Sequence, residues 1–122
     1  MSEPTEAKAV TLALAAADRK AERPIVLDVR DLTPICDYFV ICNGRSLVHT
    51  RAIAEHVEEV GVKAGWKPRF REGYSDAKWV VLDYGDVVVH VFSAEGRDYY
   101  DLDRLWRDAR EVPLPDAAAV DG

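Results

Sequence analysis

The sequence predicts an α/β fold, in which helices pack on a mixed β-sheet within a single domain that contains an antiparallel C-terminal hairpin. Two Val-rich runs, 79–83 and 86–92, flank Tyr84 and Gly85, which is the pattern of two strands joined by a tight turn. Apolar positions with helical spacing lie between the other strand-like runs, and strands connected through helices pair in parallel. A length of 122 residues is enough for one domain with a hydrophobic core.

The first half of the chain predicts a helix, two strands and a second helix. The Ala-rich start favours a helix, and Pro24 blocks its continuation. The strand at 38–42 is apolar on both faces and is therefore expected in the interior of the sheet. Ser46 can cap the helix that follows it. The predicted elements are a helix at 5–21, strands at 25–29 and 38–42, and a helix at 47–64.

The second half predicts three strands, a last helix and a tail. Pro68 lies in a polar run that suits an edge strand, because proline removes a donor from the hydrogen-bond ladder. Tyr99, Leu102 and Trp106 recur at helical spacing. The predicted elements are a strand at 66–71, the hairpin, and a helix at 93–108, within a domain that spans 1–112 and precedes a disordered tail at 113–122.

The hairpin separates two kinds of sheet surface. With 84–85 as the loop, Trp79 faces His90 and Asp83 faces Asp86, and the loop glycine supplies a positive φ. Side chains alternate across a strand, so one face carries only aliphatic residues and must be covered by helices. The other face mixes aromatic, imidazole and carboxylate groups, as binding surfaces do. It carries Trp79, Val81, Asp83, Asp86, Val88, His90 and Phe92.

Composition narrows the classes of function. A net charge of −6 repels phosphate backbones, so no direct nucleic-acid binding is expected. The sequence has no apolar run of membrane-spanning length and no secretion signal, so we expect no membrane association and a cytoplasmic location. The spacing of Cys36 and Cys42 fits neither a metal site nor a disulfide scaffold, and both are expected to be reduced, buried thiols.

Candidate chemistry is sparse. The run 43–46 lies between a strand and a helix and could bind an anion, although a turn with a helix cap is favoured. Asp83 and Asp86 could share a divalent cation, but they are more simply the polar flanks of a turn. His49 and His56 are about 10 Å apart along a helix, too far for one metal. No catalytic constellation, metal site or cofactor is therefore expected.

Three segments, at 36–44, 79–92 and 99–106, resemble the ribosomal silencing factor family, RsfS, also called Iojap. The similarity extends over residues 7–112, with the segments in the same order and at compatible spacing. The specific part is the run Leu-Asp-Tyr-Gly-Asp-Val-Val-Val-His-Val at 82–91. The chain is therefore similar to a family of translational repressors.

The resemblance implies a function as well as a fold. Members have an α/β fold similar to that of nucleotidyltransferases, have no established transferase activity, and tend to form homodimers. They bind the fourteenth protein of the large ribosomal subunit, which sterically blocks joining of the small subunit and represses translation when nutrients are scarce. The resemblance therefore implies a regulator rather than an enzyme.

The mixed face of the hairpin is the expected site of partner binding, because aromatic side chains often anchor interfaces. Burial of the same aromatics under the C-terminal helix is the alternative, which we expect for Leu102 and Trp106 and leave open for Trp79, Tyr84 and His90. The candidate partner-binding residues are Trp79, Val81, Asp83, Tyr84, Asp86, His90 and Phe92.

A second hypothesis is a nucleotidyltransferase-like enzyme. Gly44 and Ser46 would then form the turn before a helix, and Asp83 and Asp86 would hold metal ions for phosphoryl transfer. The Asp-x-Asp on one strand that such sites use is missing, since these two aspartates flank a turn instead.

Overall fold

Six strands form one mixed sheet in the computed structural model, which describes residues 4–115. The predicted α/β class is confirmed, while the nucleotidyltransferase likeness stays a prediction. In chain order the elements are α1 (Pro4–Asp18), β1 (Glu22–Asp28), β2 (Tyr38–Gly44), α2 (Leu47–Lys63), β3 (Phe70–Glu72), β4 (Trp79–Asp83), β5 (Val87–Ser93), α3 (Ala94–Tyr100), α4 (Leu102–Leu105) and β6 (Arg110–Val112).

The strands lie in the order β3-β4-β5-β2-β1-β6. Strand β2 pairs in parallel with β5, and every other pair is antiparallel. All residues of β2 and β5 are buried, which agrees with the predicted interior position of β2. Strand β3 is an edge strand, as its polar sequence predicts, and Pro68 precedes it.

Helices α1 and α2 cover the aliphatic face of the sheet. Val40, Val80 and Val89 project from this face and are fully buried. Their neighbours on the helices are small or branched, so helix and sheet approach closely. The helix residues in this core are Ala9, Leu12, Ala13, Ala15 and Ala16 of α1 and Ile53, Ala54 and Val57 of α2.

The register of the hairpin differs from the predicted one. The Tyr84 N–H donates to the Val87 carbonyl at 2.8 Å, so the loop is 85–86 and not 84–85. Trp79 therefore pairs with Phe92, and the predicted pairings of Trp79 with His90 and of Asp83 with Asp86 are wrong. Because the shift equals two residues, the residues of β4 and β5 keep their predicted faces, whereas Asp86 becomes a loop residue. Gly85 has a φ of 90°, which confirms the positive φ expected in this loop.

The C-terminal region is more divided than the predicted helix at 93–108. Helix α3 ends at Tyr100, and the next residue, Asp101, adopts a left-handed conformation with a φ of 51°. After α4 the chain forms β6, whose Val112 is 3% exposed and lies in the main core. Leu114 also packs on this core, beyond the predicted domain boundary. The rest of the predicted disordered tail, 116–122, lies outside the described residues.

Both cysteines are buried, free thiols, as predicted. Burial raises the pKa of Cys36 to about 11 and that of Cys42 to about 12, so neither is a reactive thiolate at neutral pH. Within residues 4–115, no helix is both long enough and apolar enough to cross a bilayer.

Candidate functional site

Five of the seven candidate partner-binding residues lie on the second face of the sheet. Trp79, Val81 and Asp83 of β4 are half-buried and contribute surface. His90 is 7% exposed and Phe92 is fully buried, so these two lie beneath the surface. The face is therefore open over β4 and closed over β5.

Tyr84 and Asp86 are turned toward the other side of the sheet. Tyr84 continues the alternation of Val80 and Leu82, is 8% exposed and packs in the main core. Burial raises its pKa to about 12. Asp86 accepts a hydrogen bond from Lys8 Nζ of α1 at 2.9 Å. The structure therefore separates both residues from the mixed face to which the sequence assigned them, because the loop begins one residue later than predicted.

The two aspartates of the enzymatic hypothesis pair with different basic side chains. Asp83 accepts a hydrogen bond from the Gly85 N–H at 2.7 Å and lies 3.4 Å from Arg69 Nε. Asp86 is paired with Lys8, as described above. Among residues 4–115 no group of three or more His, Cys, Asp or Glu side chains is arranged to hold a metal ion. The geometry supports the reading of these aspartates as flanks of a turn.

The turn before α2 is a helix cap. Ser46 Oγ accepts a hydrogen bond from the His49 N–H at 3.0 Å. A Cβ on Gly44 would lie 2.6 Å from the Thr50 nitrogen, so only glycine lets β2 approach the first turn of α2. Ser46 also lines an open cavity of about 590 Å³, together with Arg45 and Lys78. The lining of this cavity includes neither aspartate of the enzymatic hypothesis.

We define the β3–β4 surface as Phe70, Trp79, Val81, Asp83 and Tyr100. Phe70 pairs with Asp83 across the edge of the sheet and is 51% exposed. Tyr100, at the end of α3, is 46% exposed, and its ring centroid lies 4.6 Å from that of Trp79. The surface thus combines three aromatic rings with one aliphatic and one acidic side chain.

Sequence reasoning missed Phe70 and Tyr100. Phe70 belongs to a strand whose register the sequence does not specify, so its face was unknown. Tyr100 was assigned to the interior of a long helix, whereas it is the last residue of α3. The repeated Tyr99-Tyr100 pair, exposed in the structure, was the available signal.

The C-terminal segment covers the rest of the second face. Leu102 of α4 is 9% exposed and lies in the smaller core with Val88 and Phe92. The half-buried Trp106 packs edge-on against Phe39 at a centroid distance of 5.1 Å. The expected burial is confirmed for Leu102 and partial for Trp106. This covering stops short of β4 and leaves the β3–β4 surface open.

The Trp79 indole is held by a hydrogen bond and by rings. Its Nε1 donates to His90 Nδ1 at 3.1 Å. Phe92 is its cross-strand partner on β5, and the two ring centroids lie 5.0 Å apart. Burial lowers the pKa of His90 to about 4, against the opposing influence of the Asp83 carboxylate, so the imidazole is neutral at physiological pH. Trp79 is consequently an aromatic side chain that is both accessible and fixed.

Comparison with known proteins finds a matching family model and relatives that align with most of the chain. The model of the family described as "Ribosomal silencing factor during starvation" matches residues 2–121. Among curated relatives, the ribosomal silencing factor RsfS of Halalkalibacterium halodurans is 43% identical over 97 residues, which is 80% of this chain and 83% of that protein. RsfS of Bacillus subtilis is 41% identical over 104 residues, or 85% and 86% of the two chains. A crystal structure of a protein from Chromobacterium violaceum has a TM-score of 0.83 at 30% identity and covers 93% of this chain and 94% of that one.

Proposed function

Because the chain belongs to the ribosomal silencing factor family, its role is ribosome-associated silencing of translation, and we propose that it binds the large ribosomal subunit through the fourteenth large-subunit protein. Bound there, the protein sterically blocks joining of the small subunit. The single observation that carries the location of the contact is the open β3–β4 surface, which presents Trp79 beside a sheet edge.

The composition of this surface supports a protein partner. Trp and Tyr side chains dominate the binding energy of many interfaces because they bury a large apolar area at a small entropic cost. Trp79 and Tyr100 are in ring contact, and Val81 extends the apolar area along β4. Asp83 supplies a carboxylate at the rim, where a charge contributes to specificity and association rate. These features are those of a small interface with an aromatic centre.

The charge of the whole chain supports contact with protein rather than RNA. A net charge of −6 opposes approach to the phosphate backbone of ribosomal RNA. Some cationic side chains are also paired within the chain, as Lys8 is with Asp86 and Arg71 with Glu58. The ribosome is therefore reached through a protein component, and no direct nucleic-acid binding is proposed.

The action proposed here needs no catalysis. The curated relatives are named as silencing factors rather than enzymes. Steric blocking requires only a firm contact and sufficient bulk at the subunit interface. The residues of the enzymatic alternative, Gly44 with Ser46 and Asp83 with Asp86, serve as a close-packed turn, a helix cap and two separate ion pairs.

Two further properties belong to this proposal. The protein acts in the cytoplasm, where ribosomal subunits join. It is also a homodimer, as the family resemblance implies, and exposed apolar side chains such as Val48 and Leu105 offer area for self-association.

The first experiment is sedimentation with purified subunits through a sucrose gradient. We expect the protein to migrate with large subunits and to remain at the top of the gradient with small ones. Mixing both subunits should then give fewer joined ribosomes when the protein is added before joining. A protein found only in the free fraction contradicts the proposal, and binding without an effect on joining contradicts the steric mechanism alone.

A further inference from the structure

Trp79 and His90 form a diagonal pair across the hairpin. The ladder pairs Trp79 with Phe92 and Val81 with His90, so the two residues are offset by one pair on the same face. Trp79 Nε1 nevertheless reaches His90 Nδ1 at 3.1 Å. An indole nitrogen can only donate, so Nδ1 is the acceptor and the proton of the neutral ring lies on Nε2. The hydrogen bond therefore fixes the tautomer of the imidazole.

His90 itself has little freedom. Its side chain is 7% exposed, and Phe39 packs edge-on against it at a centroid distance of 5.0 Å. Phe92 lies nearly parallel to it, at 6.3 Å and 12°. Its Nε2 is buried and has no hydrogen-bond partner among the described residues. An unpaired buried N–H costs free energy, so His90 in this tautomer lowers the folding stability.

The acceptor acts on Trp79, an aromatic side chain of the β3–β4 surface that is partly accessible. Trp79 is half-buried, and its ring contacts those of Phe92 and Tyr100. Ring contacts alone permit an indole to rotate about its side-chain bonds, whereas a hydrogen bond to a fixed acceptor selects one orientation. A side chain held in its bound orientation loses less entropy on binding.

Resting on the proposed function, we propose that His90 is a positioning residue which holds the Trp79 indole in one orientation on the β3–β4 surface and thereby sets the affinity for the ribosomal protein. His90 makes no contact with the partner. Its contribution lies in the geometry that it imposes on Trp79 before the partner arrives.

Two substitutions separate positioning from packing. His90→Phe keeps an aromatic ring in the core but removes the acceptor, whereas His90→Asn places an amide oxygen near the position of Nδ1 and removes the ring. We expect the Phe variant to bind large subunits about five- to tenfold more weakly. The Asn variant should melt at a lower temperature than the Phe variant yet bind more tightly per folded molecule. Affinity that follows ring size instead would show that His90 only packs.

The indole itself provides an independent measurement. In ¹⁵N-labelled free protein, the indole N–H resonance of Trp79 is the one that is lost in Trp79→Phe. We expect this resonance to shift and to exchange faster with solvent in His90→Phe, and to stay close to its original position in His90→Asn. A resonance that is unchanged in His90→Phe would overturn the inference, because the indole would then be held without His90.

A double-mutant cycle tests whether His90 acts through Trp79. In a Trp79→Phe background, His90→Phe should change the affinity by less than about twofold, because no indole is left to position. An equal loss in both backgrounds would overturn the inference. Failure of the unmodified protein to bind large subunits defeats the proposed function itself, whereas normal binding by His90→Phe defeats only the positioning role.

Discussion

At the scale of single residues, Trp79 is where structure and proposed function meet. It is neither a surface side chain that happens to be aromatic nor a closed core residue, since it is half-buried with an engaged nitrogen. This intermediate burial explains why the sequence left its role open between interface and core. Pattern and composition place Trp79 on the mixed face, but they do not show that the C-terminal segment stops before it.

Replacing Trp79 by alanine should affect binding more than folding. The change removes the largest ring of the β3–β4 surface. We therefore expect the binding free energy for the isolated ribosomal protein to become less favourable by about 2 kcal/mol or more. Stability should also fall, because Trp79 packs partly on the smaller core, but by less than the roughly 3–5 kcal/mol typical of a fully buried tryptophan. Calorimetric titration and thermal melting by circular dichroism measure the two effects.

Val89→Ala is the matched control for that substitution. Val89 lies on the neighbouring strand, is fully buried and faces the helices. The Val89→Ala substitution should lower the free energy of unfolding by about 2 kcal/mol and leave the affinity of the folded fraction unchanged. If the Trp79→Ala protein melts at a lower temperature but binds with normal affinity, Trp79 does not belong to the interface.

At the scale of elements, what the sequence predicts depends on how local each signal is. The hairpin, the central β2 and the cap at Ser46 follow from alternation, apolar runs and turn chemistry within a few residues. The loop at 85–86 was misplaced by one residue because the prediction makes Gly85 the second loop residue. Gly85 is the first, and Tyr84, which is buried in the main core, belongs to the ladder.

The missed elements depend on contacts that are distant in sequence. Strand β6 exists because it pairs with β1, and the prolines at 113 and 115 masked this pairing. The break at Asp101 is equally invisible to helical periodicity, because the spacing of apolar residues continues across it. A buried arginine on α3 explains how the broken segment is held.

Arg97 joins the C-terminal segment to the sheet. It is 2% exposed, and its Nη1 donates to the carbonyl oxygens of Glu22 and Arg23 at 3.0 and 2.8 Å. Its Nε and Nη2 donate to the two carboxylate oxygens of Asp103, at 3.2 and 2.8 Å. Burial tends to raise the pKa of Asp103, but the bonds from Arg97 outweigh it and hold that pKa below its usual value. Only a guanidinium has enough donors for these acceptors.

Arg97→Ala should therefore loosen the C-terminal segment. It leaves an ionised Asp103 and two backbone carbonyls without their donor, and we expect a loss of about 3 kcal/mol of folding free energy. Arg104→Ala, at an exposed position on α4, should change stability by less than about 0.5 kcal/mol. Urea unfolding followed by circular dichroism compares the two. Equal midpoints would show that Arg97 does not anchor the segment.

At the scale of the whole molecule, the sheet is covered unequally. Its aliphatic face lies entirely under α1 and α2, while its second face is covered only as far as the segment 102–109 extends. An α/β sheet with an open strip at one edge has a ready contact surface on a rigid base. The proposed docking site is thus a consequence of where the covering elements end.

The β3–β4 surface should remain accessible when the protein forms a dimer. We expect multi-angle light scattering to give a homodimer, about twice the monomer mass of 13.6 kDa. Trp79→Ala should keep this dimer mass, because the β3–β4 surface is assigned to the ribosomal protein. A monomer mass at every accessible concentration rules out the homodimer, and a monomeric Trp79→Ala variant would reassign the surface to the dimer.

The pairing of β6 with β1 has a consequence for how the protein is made. Val112 pairs with Val26, and Arg110 pairs with Asp28, so residues near the C-terminus complete an edge begun near the N-terminus. A nascent chain emerging from the ribosome therefore carries β1 with one unpaired side until residues 110–112 have been synthesised, and chains in that condition are open to wrong pairings. Strand β6 can pair with β1 only after residue 112 has been translated and has left the exit tunnel.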